Sequence, residues 1–183
     1  MALSNSQFRL APTGHVYVAP LGSPVPTDVT TAWNAAWNEL GYLDDTGVAI
    51  TPKTTYTAVS SWQSGMVNKE VPVSQDMSLA FNLQQTNAFN LSLYFFGVAW
   101  TTSGGINTLS VPSAFSSDER MLGVEWTDSA ATFTYRMVIP RGIATSRTKI
   151  DINRKTVTMY GLTFEALDNN GSAYTILSND TNE

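Results

Sequence analysis

From Asp76 to Gln84 apolar and polar residues alternate, with Met77, Leu79, Phe81 and Leu83 on one parity and Ser78, Asn82 and Gln84 on the other. Successive side chains of a strand point to opposite faces, so this stretch reads as a half-buried β-strand. Upstream, Val67, Val71 and Val73 share one parity, and Ser74–Asp76 reads as the turn between two strands. Downstream, Thr86 to Gly97 is apolar and bounded by helix signals, Thr86 as N-cap and Gly97 just past the end. The predicted unit is a hairpin followed by a short helix.

The same reading applied along the chain predicts a mainly β protein. His15–Pro20 is the first strand, and Gly22–Asp28, with Pro24 and Pro26, is a loop. Thr30–Trp37 is read as two helical turns, placing Trp33 and Trp37 on one face, or as a loop with two anchoring indoles. Leu40–Leu43 and Gly47–Pro52 are strand pieces around an Asp44-Asp45-Thr46-Gly47 turn. Lys53–Gly65 fits neither period and reads as an irregular loop, a kind of segment that is more often functional. Its Trp62 is either an interface anchor or folds back on the core.

Thr101–Ser117 is a polar loop with one short strand at Thr108–Val111. Met121–Thr127 and Ala131–Ile139 alternate on either side of an Asp128-Ser129-Ala130 connector. Pro140 is expected to break the pairing, with a weaker strand over Gly142–Ile150. Thr156–Leu167 is apolar on both parities, as in a strand buried on both faces. Asp168-Asn169-Asn170-Gly171 is a hairpin turn before a last strand at Ser172–Leu177. The expected fold is an antiparallel β-sandwich or small barrel with one flanking helix. The expected organisation is an arm over residues 1–13, one β-domain over 14–178 and a polar tail over 179–183.

Composition narrows the function. The chain has 183 residues, 43% hydrophobic but only 14% charged, against about 25% charged in ordinary soluble domains. So little surface charge suits a protein covered by copies of itself, though many secreted β-proteins share it. Net charge is −5, unevenly spread: residues 136–155 carry six basic groups against Asp151, and the remainder is acidic. An acidic total disfavours a generic nucleic-acid binder. The basic segment is either a local patch or is paired with neighbouring acids.

Catalytic chemistry finds little to work with. There are no cysteines, which removes disulfides, thiolate metal sites and cysteine nucleophiles. His15 is the only histidine, and no serine has a nucleophile-elbow context. Asp44-Asp45 and Asp118-Glu119 sit in predicted turns without further ligands, so no metal is expected. Gly104-Gly105 precedes neither a lysine nor a helix and is no phosphate cradle. No catalytic residue and no cofactor are expected. No secretory signal or membrane-spanning run is read. Five tryptophans leave open a carbohydrate-binding or adhesin-type β-domain, although core and interface packing is their commoner role.

Several stretches taken together resemble a known family. GHVYVAPLG followed by PTD, AWNAAWNELGYLDDTGV followed by ITPK, the loop ending in WQSG, and FNLQQTNAFNLSLYFFG are similar to major tail tube proteins of long-tailed, siphovirus-type bacteriophages. The likeness spans roughly residues 14 to 97, with weaker agreement near Thr156–Leu167. It implies a structural virion protein made in the bacterial host cytoplasm. Six copies would form a ring whose strands join around a lumen. Rings would stack into a tube through which DNA passes during ejection without specific binding. The same fold is known for the tube of type VI secretion systems. Implied partners are further copies and the tape measure, tail terminator and distal tail proteins, with no membrane.

On this resemblance the polar parities supply lumen-lining candidates, Asp76, Ser78, Asn82, Gln84, Thr132 and Thr134. Arg136 would share their face and would need an acidic partner there. The arm and the Lys53–Gly65 loop supply inter-ring candidates, Phe8, Tyr56 and Trp62. Six copies would carry about −30 charges per ring, a wall that repels phosphate.

Overall fold

The computed structural model describes residues 7–114, 116–130 and 132–181. The first part of the expected arm, Ala131 and the end of the tail lie outside the described residues. Ten strands and one helix follow in chain order: β1 Thr13–Ala19, β2 Asn38–Glu39, β3 Leu43–Ser60, β4 Val67–Leu83, α1 Ala88–Tyr94, β5 Thr101–Ser103, β6 Ile106–Thr108, β7 Glu119–Thr127, β8 Thr134–Arg147, β9 Tyr160–Ala166 and β10 Thr175–Ser178. Eight strands make one antiparallel sheet in the order β2-β1-β7-β8-β9-β4-β3, with β10 also paired to β8. The sheet is not closed into a barrel, and the mainly β fold with one helix matches the sequence expectation.

The alternating parities select the core. Met77, Leu79, Phe81 and Leu83 of β4 are buried with Val16 and Val18 of β1, Leu122 and Val124 of β7, Met137 and Ile139 of β8, and Leu162 and Phe164 of β9. Leu40, Leu93 and Tyr94 pack against this apolar face, so α1 and the segment before β3 cover it. Asn87, one residue beyond the expected Thr86, is the N-cap and accepts the Asn90 backbone N–H. Asn90 is fully buried and its side-chain amide donates to the carbonyls of Leu40 and Gln85, tying the helix to both neighbouring segments. At the other end Gly97 has φ 74° and donates to the Ser92 carbonyl at 2.8 Å, so a left-handed glycine ends the helix as expected.

Several local expectations are overturned. Lys53–Gly65 is no irregular loop, because β3 continues to Ser60 and pairs with β4 as far as Val67. Alternation fails there because neither face of this hairpin is buried, so nothing selects a period. Ser74–Asp76 is not a turn but runs inside β4 opposite Lys53–Thr55. The Asp44–Gly47 turn is a bulge within β3: Leu43 pairs with Leu83 and Val48 with Phe81, so four residues oppose Asn82 alone. Pro140 does not end its strand. It sits at a register shift, where Pro140 and Arg141 oppose Met121, which removes the need for its missing N–H. The weaker strand expected at Gly142–Ile150 is therefore the second half of β8.

Thr30–Trp37 is not helical. The Asp28 carboxylate accepts the backbone N–H groups of Thr30 and Thr31 at 2.7 and 2.6 Å, but no helix follows; the segment is the loop with two anchoring indoles, Trp33 stacked on Tyr17 and Trp37 bound to the Pro24 carbonyl. The expected long strand at Thr156–Leu167 shrinks to β9, and Val157 before it is exposed. Asn170 and Gly171 do take left-handed conformations and form the expected tight turn, closed by an antiparallel bridge between Asn169 and Ser172, but the pairing stops there. Strands β9 and β10 lie end to end along the same edge of β8. The short strand expected at Thr108–Val111 is instead β6, paired with β5 around Gly104-Gly105.

The β8–β9 junction allows a direct test of packing. A Cβ on Gly142 would lie 2.6 Å from the Glu165 carbonyl oxygen and inside van der Waals contact of the Phe164 ring. Gly142→Ala should therefore cost about 1–3 kcal/mol, seen as a lower urea midpoint at unchanged slope. An unchanged midpoint would show that the two strands are not packed this closely.

Candidate functional site

Beyond the core, β3 and β4 leave the sheet as a two-stranded hairpin. Strand β9 pairs with β4 only from Ser78 to Leu83, so β3 is the only strand paired with the residues before Ser78. Every residue of β3 from Ala49 onward and of β4 up to Asp76 is exposed. Bulges at Thr55/Tyr56 and Val59/Ser60 bend the arm, and Pro72 lies beside the first of them. The arm displays Tyr56, Val59, Val67, Val71 and Val73, and its turn carries Met66, 80% exposed, and Trp62, 99% exposed. Of the two sequence alternatives for Trp62, folding back on the core is ruled out. An isolated two-stranded hairpin is marginally stable in water, and an apolar display of this size marks an interaction surface.

The outer side of the sheet divides into two halves. Over β1, β7 and β8 it is covered by residues 20–37. Trp33 stacks on Tyr17 with ring centroids 4.5 Å apart and meets Trp37 at 4.8 Å. Trp37 and Met121 join Ala19 and Val138 in a second, smaller core. Gly123 lies directly beneath the indoles, where a side chain would strike Trp33. The cover buries Arg136, whose side chain is 4% exposed. Its Nε donates to Glu125 at 2.6 Å, and its other nitrogen donates to the carbonyls of Asp28 and Thr31. The acidic partner that Arg136 needed is thus Glu125, which also accepts the Trp33 N–H. Burial also pushes the Tyr17 hydroxyl up to about 12, with the carboxylates of Glu39 and Glu125 adding to the shift. The Asp28 carboxyl is held well below its usual range by the hydrogen bonds from Thr31 and Thr30.

Over β9, β4 and β3 the outer side is open. Cross-strand pairing sets Thr51 beside Ser78, Ala49 beside Ala80 and Thr163, and Asn82 beside Gly161. This half carries no cation until Lys53 at the hairpin end; its acids are Asp44, whose carboxylate accepts the Asn82 side-chain amide at 2.8 Å, and Glu165 and Asp76 toward the hairpin. Ser78 and Asn82 are half-buried members of it, and Asp76 is exposed at its margin. Gln84 lies just past β4, its backbone N–H bound to the Tyr42 carbonyl. Thr132 and Thr134 stand apart, beside the covered half, where the backbone N–H of Thr134 donates to Asn179.

The start of β1, beyond its short pairing with β2, faces the end strand β3 across an open groove of about 900 Å³. Val48, Ile50, Val124 and Trp126 supply apolar wall, and Glu39, Asp44 and Asp45 supply carboxylates at the rim. His15 Nδ1 lies 2.7 Å from Glu39. This contact between residues 24 apart had no sequence signal, because β2 is only two residues long. Phe8 is exposed, while Arg9 donates to Asp180 at 2.7 Å and lies over the Phe133 ring, so the arm and the tail meet beside β8.

Most of the basic segment is internally paired. Arg136 joins Glu125, Arg141 joins Glu119 at 2.7 Å, and Lys149 joins Asp151 at 2.9 Å. Arg147 donates to the Tyr94 carbonyl at the helix C-terminus and lies 4.1 Å from the Phe96 ring centroid. Among the described residues no cluster of histidine or acidic side chains is arranged to hold a metal ion. No described helix is long and apolar enough to cross a membrane.

The family described as phage tail tube protein matches residues 1–183. Among solved structures, the chain is similar to one in the cryo-EM structure of the anti-feeding prophage baseplate, 6-fold symmetrised, at 12% identity, covering 97% of each chain with a TM-score of 0.46. It is similar to a chain of the PVC sheath-tube complex of an extracellular contractile injection system in its extended state. There the identity is 12%, covering 96% of this chain and 98% of that one, with a TM-score of 0.39. A third similarity is to the tube-terminating cap of the anti-feeding prophage, at 15% identity, 96% and 93% coverage and a TM-score of 0.40. No curated protein sequence matches. The chain belongs to the phage tail tube protein family, whose members are non-enzymatic structural proteins of the virion tail.

Proposed function

We propose that this protein is the repeating subunit of the tail tube of a long-tailed phage, six copies forming a ring and rings stacking around the channel used for DNA ejection. The observation that carries this reading is the β3–β4 hairpin, with Trp62 and Met66 wholly unpacked in the single chain. A soluble monomer gains nothing from such an arm, whereas an assembling subunit covers it with the next copy. Tyr56 and Trp62 on the arm are then contacts between rings, and Phe8 adds the N-terminal segment to the same role. Residues 14–178 act as one building block, with residues 1–13 and 179–183 as assembly elements.

The open half of the outer sheet, which carries no cation until Lys53, is the surface best suited to line the channel. Ser78 and Asn82, with Ala80, Thr51 and Thr163 around them, offer DNA no cation to hold. The covered half, with Arg136 buried against the Trp33 ring, faces away from the lumen on this reading. Tape measure, terminator and distal tail proteins are the expected further partners. A carbohydrate-binding role gains no support from the tryptophans. Trp33 and Trp37 pack on the sheet, the Trp100 N–H is bound to the Ala88 carbonyl, and the exposed Trp62 stands alone on its turn.

Negative-stain microscopy of concentrated protein tests the proposal. Hollow cylinders or six-membered rings are expected. A protein that remains monomeric at every concentration, even when mixed with its own distal tail assembly, would remove the tube reading.

A further inference from the structure

We propose that the groove between β1 and β3 is the socket for the hairpin tip of a second copy of this chain, with Trp62 seated in it. The inference rests on the assembly reading above and names the surface that receives the arm.

The two surfaces match in size and chemistry. The groove offers about 900 Å³ between Val48, Ile50, Val124 and Trp126, enough for an indole and the neighbouring Met66 side chain. Its rim is acidic, with Asp44, Asp45 and Glu39. On the arm, Val59 pairs with Lys69 and Thr57 with Val71, so these four side chains share one face. Glu70 lies on the other face beside Ala58. One face of the tip is therefore apolar with a single cation, the complement of an apolar groove with a carboxylate rim.

A chain cannot fill its own socket. Strand β3 leaves the groove at Ile50 and runs on to Ser60, which at about 3.3 Å per residue carries the tip on the order of 30 Å away. Donor and acceptor are then different patches of the molecule. A mutual exchange of arms would close as a two-fold dimer, whereas the same contact made in one direction is heterologous and propagates from copy to copy. The one-way contact is the symmetry a stacked or ring-like assembly requires.

The absence of cysteine makes the test clean. One preparation carries Gln63→Cys at the tip with Trp62 intact, another carries Tyr42→Cys at the groove, and the two are mixed, concentrated and mildly oxidised. Disulfide-linked heterodimers should form at least tenfold more than in a control mixture with Ile106→Cys, which lies on β6 outside the groove. Adding Trp62→Ala to the Gln63→Cys chain should remove that excess, and Asp45→Lys should reduce it severalfold. Equal yields for Tyr42→Cys and Ile106→Cys, or an excess that survives Trp62→Ala, would overturn the socket. Tubes seen by microscopy without preferential cross-linking at Tyr42 would reject the socket alone. Preferential cross-linking without tubes or rings would support the socket and reject the tube.

Discussion

Cutting the hairpin back so that Thr54 joins Gln75 through an Asn-Gly turn should leave a folded protein that no longer assembles. Thr54 and Gln75 are directly opposed, so a two-residue turn fits between them. Everything removed lies outside the two hydrophobic clusters, and none of the long-range side-chain hydrogen bonds that hold the loop of residues 20–37 or α1 involves it. The melting temperature should therefore stay within a few degrees, because surface changes away from packed features are usually within about ±0.5 kcal/mol. Assembly should fall from rings or tubes to monomer, read side by side with the unaltered chain by microscopy and sedimentation. A shortened chain that still forms tubes of normal length would show that the arm is not the inter-ring contact. One that fails to fold would show that the arm stabilises the sheet.

The opposite pattern is expected at the centre of the sheet. Phe164 is fully buried and is paired with Leu79 of β4 on one side and Ala144 of β8 on the other. Its ring also fills the space left bare by Gly142. Phe164→Ala should cost about 3–5 kcal/mol, from lost apolar burial and the cavity left behind. Against a total of about 5–15 kcal/mol for a typical protein, that is a large fraction. The urea midpoint should fall accordingly, with loss of assembly following only from loss of fold. A change below about 1 kcal/mol would show that β9 is not the middle of the core.

These two results separate two kinds of surface that differ in how clearly they are written in the chain. The inner face of the sheet is strictly periodic because it is buried on one side. A one-residue slip would turn Met77, Leu79, Phe81 and Leu83 to solvent, so the pattern has to be kept. The arm has no such constraint within the monomer. Its residues answer to whatever packs on them after assembly, and that pattern cannot be read from one copy. This is why Lys53–Gly65 looks like a loop in sequence and is a pair of strands in the structure.

The turn-forming residues misled for a different reason. Asp44-Asp45-Thr46-Gly47, Ser74-Gln75-Asp76 and Pro140 all have the chemistry of chain reversal. In the first and third cases the reversal is replaced by a bulge that absorbs extra residues while the strand continues. Nothing local distinguishes a bulge from a turn; pairing with the neighbouring strand decides. Conversely, Asp28 and the spacing of Trp33 and Trp37 suit a helix at Thr30–Trp37 as well as a loop, and the loop is selected by the packing of both indoles on the sheet, a tertiary contact.

The chain by itself determined the fold class, the inner face of the sheet, and the position of the helix and its glycine stop. Each of these follows from local rules: side-chain period and capping. Tertiary structure alone decided which strands are neighbours, that residues 20–37 bury Arg136 against the Trp33 ring, that half of the outer face stays open, and that Trp62 projects into solvent on a long arm. Those features depend on contacts between residues far apart in sequence, and local pattern carries no record of them. The surfaces proposed for assembly are of this second kind, since no local pattern marks them.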